Sequence, residues 1–387
     1  MQLRRIAIGI ELGYPYRHNF NVLAGIQRYA KECGNWRCEI DPYGQDFQRG
    51  GRSIHYDGVI ARATRGLIEQ AAKHHIPFVN VWSEALNEPV PSVLLDYRAA
   101  GEQAAEYLLR RGYNHLAFHG FSQHAGTQLA QTQFEMIANK AKCPVSSLIV
   151  SSECDESAQH WNTYVRRCEK WIASWQTPIA VFTTHDNICR FLAQACLKAG
   201  LRIPEDVALI GLGNEPLVCT HLEPALSSIE PDLENVGYQA GALLDRMMNG
   251  EPPPAAPTFV KNIGLITRRS TNHYIVNDPL VQQAMTFILD NTHKGICVRD
   301  VANHVRTIVR TLERHFRLDM GCTIGEEISR RRINHATRLL LESDIPIKRI
   351  AYACGYSSAN YFSQAFLKAK KVSPGELRRG RSPEMSV

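Results

Sequence analysis

The 387-residue sequence lacks several things, and each absence removes a class of function. No apolar run approaches the roughly 18 residues of a membrane span. The opening MQLRRIAIGIELG puts basic residues ahead of an apolar stretch, but Glu11 interrupts it early and no small-residue cleavage site follows. It does not read as a signal peptide. Eleven cysteines are present without paired C-x-x-C spacing, which argues against a zinc module and for reduced thiols in a cytosolic compartment. Cys189 and Cys196, seven apart in an apparent helix, read as core. No G-x-G-x-x-G or G-x-x-x-x-G-K-[ST] run follows an apolar strand, and GLGNEP is a weak imitation. There is no G-x-S-x-G elbow, and the fifteen histidines show no H-E-x-x-H spacing. The expectation is a chain that is not an enzyme, uses no cofactor and holds no metal.

What is present fits a globular protein: 44% hydrophobic and 21% charged residues. The length suggests two or three domains. A net charge of +6 is unremarkable, but its distribution is not. Residues 277–387 hold 18 Lys and Arg against 11 Asp and Glu, whereas residues 1–276 hold 26 against 27. The excess positive charge lies in the last third, where phosphate neutralisation would need it, although a solvated basic surface has the same composition.

Within that third, IKRIAYACGYSSANYFSQAF (347–366) stands out. Ile347, Ile350 and Ala351 repeat at helical spacing, and Gly355 offers the positive φ of a sharp turn. Ser357 then offers an oxygen to the free N–H groups of a second helix, which packs by Phe362 and Phe366, four apart. Its other face carries Ser358, Asn360, Tyr361 and Gln364, groups able to exchange hydrogen bonds with base edges. This reads as a helix-turn-helix with its recognition helix second, or as an ordinary helical hairpin. The stretch GYSSANYFSQAF followed by KKVSPGELRR resembles the signature of AraC/XylS-type transcription regulators, a likeness running from about Asp278 to Arg379.

A first helix-turn-helix candidate precedes it in VRDVANHVRTIVRTLERHFRLDMG, with Val301, Ala302 and Val305 inward before the turn and Leu312 and Phe316 after it. It departs from the family in having Arg306 where the turn often has Gly and Ile308 where a capping Ser is usual. The family pattern implies that Arg310 and Arg314 face the groove with Thr311 between them, the alternative being a solvated arginine stripe. Thr323 and Glu326 have the spacing of a capping box opening a long helix that should separate the two heads by about 34 Å. Arg330 on that helix is expected to contact the DNA backbone or to sit in solvent. Ser357 and Ser358 are expected at phosphates, and Asn360, Tyr361 and Gln364 at bases.

The first two-thirds alternates strand and helix. Ile6 to Ile10 is a short apolar run, followed by a helix with Val22, Ile26 and Tyr29 on one face and Gly34 at its end. YDGVIAR, LIEQAAKHH, PFVNVW, AAGEQAAEYLLRRG and NHLAFHGF continue the alternation. A second series runs through IAVFTTHD, ICRFLAQACLKAGL, VALIGLG and YQAGALLDRMMNG. Repeated βα units imply parallel sheets covered by helices, here two lobes in tandem with a cleft at the strand ends. After the Pro-rich GEPPPAAPT, FVKNIGLITRRST should return as a last strand.

LLDYRAAGEQAAEYLLRRGYNHLAFHGF, THDNICRFLAQACLKAGLRIPEDVALIGLGNEP and LSSIEPDLENVGYQAGALLDRMMNG look like the effector domain of LacI/GalR-type repressors, which has the fold of periplasmic sugar-binding proteins. That likeness spans most of Ile6 to Thr271. It implies a sugar-sized ligand in the cleft, with two departures: Gly213 before Asn214 where an Asp is common, and Gln133 where an Arg is usual. Loss of both charges should weaken or redirect recognition of sugar hydroxyls. The remaining pocket positions are Tyr16, Phe20 and Asn21, then Arg62, Trp82, Asp186, Asn214 and Glu215. Trp82 would stack on a sugar or close the core, Asp186 would hold a hydroxyl or cap its helix, and Arg62 would clamp an anion or lie at the surface.

The expected fold is therefore an α/β two-lobed domain resembling periplasmic binding proteins (1–272), a linker (273–279), and an all-α domain with two helix-turn-helix motifs (280–387). The expected function is a cytoplasmic, ligand-responsive transcription regulator that binds double-stranded DNA and a small-molecule effector. The resemblance further implies a homodimer, with RNA polymerase as a partner in transcription and no membrane partner. Two alternatives stay open: a DNA-binding regulator whose sensor no longer senses, and an N-terminal enzyme fused to a DNA-binding module.

Overall fold

A computed structural model describes residues 3–10, 19–41, 56–86, 88–151, 158–221, 223–276 and 278–379. Along the chain the first elements are β1 (Arg4–Gly9), α1 (Asn19–Cys33), β2 (Trp36–Ile40), β3 (Gly58–Ala61), α2 (Arg65–Lys73), β4 (Phe78–Asn80), β5 (Val93–Leu95) and α3 (Tyr97–Leu109). Next come β6 (Leu116–Phe121), α4 (Ala125–Lys140), β7 (Val145–Val150), α5 (Ala158–Ala173), β8 (Ile179–Thr183), α6 (Asp186–Lys198), β9 (Val207–Leu212), α7 (Pro216–Cys219), β10 (Ser227–Glu230) and α8 (Leu233–Met248). The strands β11 (Thr258–Val260) and β12 (Gly264–Ile266) are the last. Seven helices follow: α9 (Pro279–Asn291), α10 (Val298–His304), α11 (Val309–Met320), α12 (Ile324–Glu342), α13 (Ile347–Ala353), α14 (Ala359–Lys370) and α15 (Pro374–Arg379).

The chain divides into two units, one of residues 1–100, 122–130 and 231–263, the other of 101–121, 131–230 and 264–387. The first holds a parallel sheet ordered β2-β1-β3-β4 and a β5–β11 pair. Successive side chains of β1 point to opposite faces: Ile6 and Ile8 join Val22, Ile26 and Val236 from α1 and α8, while Ala7 joins Leu67 and Ala71 from α2. Two glycines let α1 and α8 touch backbone to backbone, since a Cβ on Gly25 would lie 1.9 Å from the Glu234 carbonyl and one on Gly237 1.9 Å from that of Val22.

The second unit carries a six-stranded sheet ordered β12-β10-β9-β8-β6-β7, parallel except where β12 runs against β10. Val181 and Leu209 of the sheet pack on Ile188 and Leu192 of α6 and on Ile172 of α5. The expected simple tandem of lobes is corrected here. NHLAFHGF, placed with the first series, forms β6 of the second sheet, and YQAGALLDRMMNG, placed with the second, lies on α8 of the first unit. A βα alternation records what each segment is, not which sheet it joins. FVKNIGLITRRST likewise splits, its start in β11 and its middle in β12, which belong to different sheets.

The helices α9 to α12 enclose a core of Val281, Ile288, Val301, Leu312, Phe316, Ile324 and Ile328 in the same unit. Asp278 caps α9 by accepting the Leu280 N–H, and Gly295 ends the following turn at φ +76°. Thr323 and Glu326 close a capping box on α12, whose 19 residues span about 28 Å.

Candidate functional site

Both helix-turn-helix pairs form. In the second, Gly355 turns the chain at φ +77°, and a Cβ there would lie 2.7 Å from the Thr292 carbonyl, so the position needs glycine twice over. Phe362 and Phe366 are buried, with ring centroids 5.6 Å apart, and the Tyr356 ring lies tilted beside Phe362 at 5.3 Å. The helix cap differs by one residue from the expectation: Ser358, not Ser357, accepts the Tyr361 N–H, at 3.2 Å. Two adjacent serines offer the same chemistry, and the extended backbone at Ser358 decides between them. Ser357 is exposed one position before the cap. Asn360, Tyr361 and Gln364 are exposed on the face away from the phenylalanines, with Tyr361 60% accessible.

In the first pair, Arg306 carries the turn at φ +55°, and Ile308 stands at the cap of α11 with no side-chain hydrogen bond. Leu312, Phe316 and Met320 bury one face, leaving Arg310 and Arg314 exposed on the other and Thr311 half-buried between them. His315 holds the Asp278 carboxylate at 2.5 Å, which pins α11 to the start of α9 and keeps that carboxyl below the usual range.

The sensor candidates fall into two sets. In the first unit the Arg62 guanidinium lies 4.2 Å from the centroid of the Trp82 ring. Both loops are tied by buried Asn80, whose Oδ1 accepts the N–H groups of Ala63 (3.1 Å) and Trp82 (2.9 Å) and whose Nδ2 donates to Ser92 Oγ (3.1 Å). Trp82 is half-buried, and Phe20 and Asn21 are exposed on the first turn of α1. Tyr16 lies outside the described residues. In the second unit Asp186 begins α6 but neither caps it nor faces outward. Its carboxylate accepts from Ser228 Oγ at 2.6 Å and from the Glu215 N–H at 2.8 Å, and burial pushes its carboxyl up against those bonds. Asn214, buried at φ +48°, donates to Glu230 and accepts from Arg268 at 2.6 Å. Gly213 takes φ +127°, open to glycine alone, and Gln133 is half-buried on α4.

With this geometry in place, the likenesses to known proteins are decisive. Residues 105–271 match the periplasmic binding protein-like domain family and residues 301–380 a helix-turn-helix domain family. The chain is 31% identical over 337 residues to the xylose operon regulatory protein of Escherichia coli K12, covering 85% of each. It is 30% identical over 291 residues to that of Haemophilus influenzae, covering 74% of each. A solved structure of a xylose-binding transcription activator, xylR, superposes with a TM-score of 0.60 at 27% identity over 99% of both chains. The chain belongs to the family of xylose operon regulatory proteins. As a member it is a DNA-binding transcription regulator and not an enzyme, with an α/β periplasmic-binding-protein-like region followed by helices. Among the described residues no helix is long and apolar enough to cross a membrane, and no cluster of three His, Cys, Asp or Glu side chains is placed to hold a metal.

Within this family member, sequence reasoning missed the group that joins the reading heads to the α/β region. Glu327 on α12 is fully buried. It binds Arg330, Arg331 at 2.7 Å and the Tyr274 hydroxyl at 2.9 Å. Burial disfavours its charge, but Arg331, Arg330 and Arg111 outweigh that and hold the carboxyl down at about 2. Tyr274 lies under Arg111, 4.2 Å away, and Arg111 also covers Tyr107 at 4.2 Å. The expectation for Arg330 is thereby corrected: its guanidinium donates to Glu327 and, at 2.8 Å, to Tyr274 Oη instead of lying free on the helix surface. A run of three arginines looks solvated in sequence, and only the burial of Glu327 three residues earlier reveals otherwise. Asn80, Ser228 and Arg268 were also unmarked, carrying no motif beyond their polarity.

Proposed function

We propose that this regulator reads duplex DNA with α11 and α14 of each protomer of a homodimer in the cytoplasm, and that a small polyhydroxylated molecule of sugar type sets its activity. The observation that carries the DNA reading is the pair of helices that bury phenylalanines on one face and expose hydrogen-bonding rows on the other. Arg310, Thr311 and Arg314 of α11 and Asn360, Tyr361 and Gln364 of α14 contact base edges. Ser357 lies at a phosphate, and Ser358 reaches one with its hydroxyl proton while its oxygen caps the helix. Arg330 is left out because its Nη2 is turned to Glu327 and Tyr274. RNA polymerase is the further partner at the promoter.

The sensing reading draws on the names of the relatives, which include a xylose-binding activator, and on the polar groups of both units. The candidate contacts are Phe20, Asn21, Arg62 and Trp82 in the first unit and Gln133, Asn214 and Glu215 in the second, with Asp186 holding the Glu215 N–H and Tyr16 a further candidate. Gly213 and Gln133 supply no charge where the relatives commonly have an Asp and an Arg, which leaves Arg62 and Glu215 as the charged groups among the candidates, and aldopentoses need not be preferred. Heat unfolding of the full chain against a panel of aldopentoses, hexoses and sugar acids tests this. A ligand at one hundred times its Kd adds about 2.7 kcal/mol of stability and raises the midpoint by several degrees. A panel that moves nothing sinks the sensing reading and leaves DNA binding intact.

A further inference from the structure

The last turn of α14 and its C-cap carry three lysines, and they do not behave alike. Lys368 and Lys371 are exposed, whereas Lys370 is turned inward. Its ammonium lies over Gly264 at the start of β12: a Cβ on that glycine would sit 2.8 Å from Lys370 Nζ and 3.8 Å from the Gln103 amide nitrogen. Gln103 of α3 in turn has a buried Oε1 with no hydrogen-bond partner. Loss of water at this seat holds the Lys370 ammonium below the usual lysine range, and no carboxylate among the described residues offsets it. An ammonium taken out of water without an acceptor is a costly arrangement, and any state that gives it an anionic partner relieves the cost. Duplex DNA presents such partners along its whole backbone.

Gly264 is also the register partner of Glu230 across the antiparallel β10–β12 pair. The Glu230 carboxylate accepts from Asn214, which stands among the effector candidates. The seat of Lys370 is thus one strand away from a side chain proposed to touch the effector.

We propose that the Gly264–Gln103 seat restrains the second reading helix against the α/β sheet, and that operator phosphates compete with the seat for Lys370. Seating opposes DNA binding, and a shift of β12 relative to β10 changes the balance. The inference rests on α14 being a DNA-contacting helix, which substitution of Gln364 tests separately because that residue lies away from the seat.

The test uses the full chain and a duplex enriched by the wild-type protein from a random pool. Gln103→Glu puts a carboxylate beside the ammonium at a site outside the reading helices. A charge-assisted hydrogen bond formed there lowers affinity for the duplex about tenfold by favouring the seated state. The same substitution in a Lys370→Met background leaves affinity where Lys370→Met alone put it. Heat unfolding without DNA gives the second readout: Gln103→Glu raises the midpoint when Lys370 is present and not when it is Met. Unchanged affinity, an equal loss in both backgrounds, or a midpoint that falls in both overturns the proposal.

Discussion

Gln364 and Lys368 follow Asn360 at intervals of four on the exposed side of α14, yet their chemistry assigns them different duties. An amide can pair with adenine N6 and N7 in two hydrogen bonds, whereas an ammonium in the last turn meets only charge. Gln364→Ala is expected to relax discrimination at one base pair by about 1–3 kcal/mol while sparing random DNA. Lys368→Ala is expected to weaken specific and random duplexes alike and to reduce the slope of log affinity against log salt by about 1. Competition binding on single-base variants at several salt concentrations separates the two. Equal effects of both substitutions on specific and random DNA would remove Gln364 from the base contacts. The exposure of these residues was legible because Phe362 and Phe366, four apart, fix which face of α14 is buried. The placement of the cap was not, since Ser357 and Ser358 are interchangeable until φ and ψ choose between them.

At the scale of the element, α12 is held by one buried carboxylate. Glu327 supplies acceptors to Arg330, Arg331 and Tyr274, and its carboxyl titrates at about 2 instead of near the ordinary glutamate value. A folded-state value below the unfolded one means the stabilisation is fully present above the unfolded pKa of about 4.3 and is lost as pH falls toward 2. Glu327→Gln leaves two arginines without a counter-charge and is expected to cost about 3 kcal/mol at neutral pH. It should also flatten the loss of stability between about pH 4.5 and 2, because the group that titrates there is gone. Urea unfolding across that range checks both statements, and a variant with an unchanged acid limb would assign the limb to other carboxylates. The helix itself was legible from the capping-box spacing of Thr323 and Glu326. Its buried face was misread, because a sequence shows that Glu327 and Arg330 are one turn apart but not that Tyr274 and Arg111 close over them.

Along the whole chain the segments of the two units alternate, with crossings in the first turn of α3, at the end of β6, within α4, at the end of β10 and just before β12. Local periodicity identified β1, β3, β6, β8 and β9 and helices such as α1, α3, α6 and α8 but not β2, β7, α4 or α5, and membership of a sheet is a long-range property that had to come from the pairing registers. The two reading heads pose the opposite case, because a single rigid element joins them. The span of about 28 Å along α12, with the width of the flanking helices, suits successive major grooves about 34 Å apart. An operator should therefore contain, for each protomer, two short segments one helical turn apart. Inserting five base pairs between those segments turns one to the opposite side of the duplex and is expected to lower affinity more than tenfold, as losing one head's base contacts would. Inserting ten restores the phase but not the distance, so it too should fail, since α12 cannot lengthen. Insertions of a whole turn between the sites of two protomers should be tolerated far better if flexible contacts join them. Recovery of full affinity with ten extra base pairs inside one protomer's site would show that α12 does not fix the spacing of the heads.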